Sequence, residues 1–192
     1  MGGVVILLLA LPVLLIIGLA IFLTDRGPIF YRQSRIGCGG RSFDVIKFRT
    51  MHPNADGLLA ELLANNNSAK LEWEIQHKLA NDPRVTKVGS ILRRFSLDEL
   101  PQIWNIIRGD MSLVGPRPIV REEIPKYGRY IEHYFAVLPG LTGLWQVHGR
   151  GNEVSYRRRV AMDCWYISHR SFFLDCQIIY RTTGVVLAGK GT

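Results

Sequence analysis

Asp98 and Glu99 stand side by side in RRFSLDELPQIWN, residues 93–105, behind an arginine pair and just ahead of Pro101. Ser96 followed three residues later by Glu99 fits a capping box, in which the two side chains satisfy free amides at a helix start. With Ser96 as the cap, Pro101 would fall at the fifth helical position, where an N–H is needed. A cap at Asp98 puts Pro101 in the first turn, where the missing donor costs little. Both carboxylates would then sit at the positive end of a helix, which attracts anions and favours their ionised form. Consecutive helical residues project about 100° apart, so a proton shared between the two is disfavoured and separate roles suit them better. An aspartate can attack phosphorus to give an acyl phosphate, while a neighbouring carboxylate holds the magnesium that neutralises phosphate charge. Spacing alone still favours the cap.

The surrounding cations shift that balance. Lys47 and Arg49, two apart in a strand-like stretch, share one face. Arg117 lies between Pro116 and Pro118, and the following proline biases it toward an extended backbone that aims its guanidinium for bidentate phosphate contact. With Arg93 these side chains form what a diphosphate substrate requires. The whole chain carries 24 Lys and Arg against 16 Asp and Glu, a net charge of +8, so its partners are expected to be anionic. Nucleic acid is the disfavoured anion, because the basic residues gather around carboxylates and the aromatic RNA-stacking motif is missing. Three cysteines without CxxC spacing point away from a disulfide framework.

The elements that must hold these residues begin with Gly2 to Leu23, an apolar run without an ionisable side chain. About 20 such residues cross a bilayer as a helix, and the features of a cleaved signal peptide are not evident, so a retained membrane segment is expected. Pro12 predicts a kink or break in it. On the residues alone a kinked transmembrane helix is favoured over a re-entrant one, and the basic residues after Asp25 put the following domain in the cytoplasm. IFYRQSRI and RSFDVIKFRTM flank GCGG and predict a β-hairpin. Leu59, Leu62 and Leu63, then Leu71, Ile75 and Leu79, follow helical spacing with an interruption at Asn65 to Asn67, and are expected in the core. Two closing helices are expected over EVSYRRRVAMDCWYISHRS and SFFLDCQIIYRTTGVVLAG.

KFRTM (47–51), LRRFSLDELPQIWNIIRGDMSLVGPRP (92–118) and PGLTGLWQVHGR (139–150) closely resemble the bacterial sugar transferases, monotopic phosphoglycosyl transferases of envelope glycan synthesis. Residues 54–89 look like the undecaprenyl-phosphate galactose or glucose phosphotransferase branch. The resemblance implies transfer of a hexose 1-phosphate from a UDP-sugar to undecaprenyl phosphate, with release of UMP, in a ping-pong reaction. It makes Asp98 the nucleophile and Glu99 the ligand of Mg2+. Lys47, Arg93 and Arg117 match positions near the phosphates or nucleotide, and Asp175 matches an acidic position in the last helix; Arg49 shares the face of Lys47. It also replaces the spanning helix by a re-entrant one broken at Pro12, although Leu11 stands where the family commonly has serine.

The expected architecture is therefore an α+β, helix-rich fold. A small β-hairpin and several helices pack on a proline-broken re-entrant membrane helix, with residues 1–24 in the membrane and 25–192 forming a catalytic domain on the cytoplasmic face of the bacterial inner membrane. Membrane lipid is a further partner, and a homodimer is compatible with the reading. The rival is a membrane-anchored basic binding module in which the dyad only caps a helix.

Overall fold

A computed structural model describes residues 2–76, 79, 81–148 and 154–189. Gly149 and Arg150 of the third motif and residues 77, 78 and 80 of the segment 54–89 lie outside it. The order of elements is α1 (Gly2–Asp25), β1 (Phe30–Ile36), β2 (Ser42–Phe48), α2 (Ala55–Asn65), α3 (Asn67–Gln76), α4 (Lys87–Arg94), a 3-10 helix (Leu97–Gln102), α5 (Ile103–Arg108), β3 (Ser112–Val114), α6 (Ile124–Tyr127), α7 (Ile131–Phe135), β4 (Gly140–Thr142), α8 (Leu144–His148), α9 (Tyr156–His169) and α10 (Phe172–Leu187). Short 3-10 turns lie between some of them. The chain is helix-rich with little sheet, an α+β arrangement.

The expected hairpin is present. β1 and β2 pair antiparallel, with Tyr31 opposite Lys47, Gln33 opposite Val45 and Arg35 opposite Phe43. Directly opposed residues share a face, so these six side chains lie together. Gly39 and Gly40, at φ of 66° and 69°, make the turn. A second, parallel pair, β3 with β4, was not expected. It draws the LVGPRP and LPGLTG stretches into backbone contact: a Cβ on Gly140 would stand 2.1 Å from the Gly115 nitrogen, so only glycine fits the crossing.

α1 continues through Pro12, and the break expected there is not seen. Among the described residues no helix is long and apolar enough to cross a membrane. Ile17 and Ile21 are buried with Phe48 of β2 and Leu92 of α4 in one hydrophobic cluster, whereas Leu15, Ile16, Leu19 and Leu23 are exposed. A second cluster joins Ile36, Ile119, Tyr127, Tyr134 and Val160, and a third joins Val114, Tyr166 and Ile178.

The interruption between α2 and α3 falls at Asn66, as their spacing suggests. Their leucines are not the core, however: α2 buries no residue and Leu71 is 60 % exposed. Helical periodicity marked an apolar stripe, but α2 and α3 mainly pack on each other, which leaves Leu59, Leu62 and Leu63 half-buried rather than in the core. α9 and α10 close the chain as expected.

Candidate active site

The dyad lies on the 3-10 helix rather than at an α-helical N-terminus. Ser96 precedes it in the left-handed region, at φ 53°, and its side chain makes no capping bond; the Glu99 N–H is bonded to the Ser96 carbonyl instead. Asp98 is likewise no cap. Pro101 is accommodated within the 3-10 turns, and the regular helix α5 starts only at Ile103. A serine in this backbone region is strained, which is a cost of order 1 kcal/mol tolerated where the surroundings hold it. What that strain achieves is a sharp turn from α4 into the carboxylates.

Asn105, with no exposed surface, fastens this segment to the hairpin. Its Oδ1 accepts from the Ile46 N–H at 3.1 Å and its Nδ2 donates to the Asp44 carbonyl at 2.7 Å. The strand that carries Lys47 and the helix that carries the dyad are thus held in register. Lys47 Nζ accordingly reaches Glu99 Oε1 at 2.8 Å. The cleft beside this pair is lined also by Arg35, Gln102, Arg117 and Gln146, and has room for only about 20 Å³, about one water.

Burial pushes the Asp98 carboxyl above its ordinary range, with the neighbouring Glu99 adding to that, while Lys47 and Arg93 pull it back. This corrects the expectation that a helix terminus would favour the ionised form: the desolvation exceeds the attraction. Arg93 is half-buried. It donates from Nε to Thr50 Oγ1 at 2.9 Å, and the Asp98 charge partly offsets the burial that lowers its pKa.

The structure brings Lys47, Glu99 and Arg117 to one cleft, with Asp98 and Arg93 coupled to it electrostatically. It does not bring Arg49 there. Arg49 is buried, paired with Asp25 at the end of α1 and bonded to the carbonyls of Pro28 and Met51. Asp175 is also elsewhere: it accepts from the Tyr166 hydroxyl at 2.7 Å on the wall of a separate cavity of about 490 Å³. Burial, and then that bond, raise the Tyr166 pKa.

Sequence reasoning missed Arg35, Gln102 and Gln146. Arg35 donates to the Pro118 carbonyl at 3.3 Å and faces Glu123 at 3.9 Å, so it steadies the loop that presents Arg117. Its signal was available in the hairpin, because counting back across the GCGG turn puts it on the face of Lys47. Among the described residues no group of three or more His, Cys, Asp or Glu side chains could hold a metal. Glu99 is the carboxylate lining the cleft and Asp98 is its chain neighbour, a donor set that suits an ion completed by substrate oxygens rather than by an all-protein cage.

Residues 1–189 match the family model described as bacterial sugar transferase. The chain is 46 % identical over 192 residues to a UDP-galactose-lipid carrier transferase of Erwinia amylovora, covering 99 % of this chain and 39 % of that protein. It is 50 % identical over 179 residues to the exopolysaccharide production protein ExoY of Sinorhizobium fredii, covering 93 % and 78 %. An undecaprenyl-phosphate galactose phosphotransferase of Salmonella typhimurium is 45 % identical over 189 residues, covering 98 % and 39 %. The chain thus spans well under half the length of the Erwinia and Salmonella relatives.

Proposed function

The chain belongs to the bacterial sugar transferase family, and from that premise we propose that it transfers a hexose 1-phosphate from a UDP-sugar to undecaprenyl phosphate, through a phosphosugar on Asp98. The observation that carries the proposal is the Lys47–Glu99 pair, 2.8 Å apart, set beside a desolvated aspartate and two arginines of the same cleft. A cap alone requires none of these neighbours. The printed names of the relatives, a UDP-galactose-lipid carrier transferase and an undecaprenyl-phosphate phosphotransferase, support the substrate classes.

In this mechanism Arg117 and Lys47 bind the diphosphate, and Arg93 balances charge around Asp98. One Asp98 carboxylate oxygen bonds to the sugar-bearing phosphorus as the bond from that phosphorus to the bridging oxygen breaks. The bridging oxygen keeps the electron pair and leaves on UMP. A phosphate oxygen of the lipid then bonds to the same phosphorus, and the aspartyl oxygen departs with its pair, restoring the carboxylate. Burial serves the first step: a carboxylate of raised pKa is a stronger nucleophile once ionised. Glu99, with Asp98, fits a magnesium ion held by one or two carboxylates and substrate phosphates, and such an ion would neutralise charge on the diphosphate.

The exposed apolar flank of α1, Leu15, Ile16, Leu19 and Leu23, supports seating of that unbroken helix in the cytoplasmic leaflet of the inner membrane, with both of its ends on the cytoplasmic side. Labelling of a Gly2→Cys variant from the periplasm would overturn this topology.

The catalytic proposal is tested by UMP release across a panel of UDP-sugars without lipid acceptor, which reports the first half-reaction. Wild-type chain is expected to release one equivalent of UMP with one sugar of the panel, and Asp98→Asn none. Release by Asp98→Asn at the wild-type rate would remove the nucleophile.

A further inference from the structure

Trp145, on α8, is almost wholly buried, and two guanidinium groups lie against its ring: Arg117, at 5.9 Å from the ring centroid, and Arg159 of α9, at 4.7 Å. Arg117 belongs to the Lys47–Glu99 cleft, and Gln146, the neighbour of Trp145, lines it too. One indole therefore ties a residue of α9 to the cleft. The Nε of Arg159 is buried with no hydrogen-bond partner among the described residues. An unpaired buried donor on a charged group is costly, and an acceptor supplied from outside the protein is one of the ways in which it is satisfied. The cations of the cleft, Lys47, Arg35 and Arg117, already outnumber its one lining carboxylate, Glu99. A third arginine of the same sign near that cleft makes sense opposite a multiply charged anion.

We infer that Arg159 is a phosphate-binding residue, the second guanidinium of an arginine pair on Trp145 that grips the substrate's phosphate oxygens. This deepens the phosphosugar-transfer reading and rests on it. Trp145 is the positioning residue: its ring face attracts both cations and spaces them, so that Arg159, arriving from α9, faces the same ligand as Arg117 from the Pro116–Pro118 turn. The ligand is a phosphate in chemistry, supplied by the nucleotide diphosphate of the donor or by the phosphate of the lipid acceptor.

The test uses the full chain in membranes, with UDP-sugar and undecaprenyl phosphate varied in turn for wild type, Arg159→Met and Arg159→Lys. Losing charge-assisted bonds to phosphate is expected to raise a KM by about 10-fold or more in the methionine variant, with kcat altered much less. A higher donor KM assigns the pair to the nucleotide diphosphate, and a higher lipid KM alone assigns it to the acceptor. The lysine variant keeps the charge without the planar fork and should fall between, and it carries the test if the methionine variant does not fold. Wild-type KM values for both substrates in a folded variant overturn the inference. Should wild type release UMP from no UDP-sugar, the functional reading fails, and calorimetric binding of pyrophosphate decides this inference by itself. Affinity weakened about 10-fold in Arg159→Met, and by less in Arg159→Lys, would uphold it, and wild-type affinity in both would overturn it.

Discussion

Asp163 is a charge-capable group in the wrong solvent. It is 2 % exposed, its Oδ2 accepts from the Tyr127 hydroxyl at 2.7 Å, and burial drives its pKa up to about 7 against the bond from Tyr127 and the field of Arg159. In the unfolded chain the same carboxyl ionises near 3.8. Between those values the native state holds a proton that the unfolded state has released, so stability falls as pH rises through the interval and levels off above it. The full difference is about 4 kcal/mol, of which roughly 3 kcal/mol falls between pH 5 and 8. Asp163→Asn keeps an oxygen for Tyr127 and loses the titration. Thermal unfolding of both proteins at pH 5, 6, 7 and 8 measures the effect, since other titrating groups are common to both and drop out of the difference. Relative to wild type, the variant should gain on the order of 6–12 °C in Tm from pH 5 to pH 8. A Tm difference that stays constant over that range would refute the reasoning.

Two further predictions concern the site's supports. Asn105→Ala strands the Ile46 N–H and the Asp44 carbonyl and should cost about 2–4 kcal/mol in denaturant unfolding, whereas a loss below about 1 kcal/mol would mean that the hairpin and α5 are held by something else. Lys47→Met removes a cation that holds the Asp98 pKa down, so the acid limb of the UMP-release profile should move to higher pH; a limb that stays put would uncouple Lys47 from the nucleophile.

Local chemistry was legible in the residues and long-range pairing was not. The GCGG turn, the strands around it and the two closing helices follow from spacing, whereas a place for Lys47 near the phosphates is what the family resemblance implied. The parallel β3–β4 pair could not be read, because three-residue strands carry too little alternation to register. Arg49 shows the limit well. Alternation in KFRTM sets it beside Lys47, but Asp25, 24 residues earlier, captures its guanidinium. Ser96 fits a cap by sequence, yet the turn out of α4 leaves its hydroxyl unused for that purpose. The leucines of α2 have helical period but are only half-buried, which tertiary structure alone decides.

The Asp25–Arg49 clasp has a mechanical meaning. It joins the end of α1 to the exit of the strand bearing Lys47, while Ile17 and Ile21 lock the same helix to Phe48 and Leu92. The apolar flank of α1 and the cleft are therefore fixed to one another through the same few residues. In the proposed membrane seating, depth of immersion and height of the cleft above the lipid phosphates would become a single quantity.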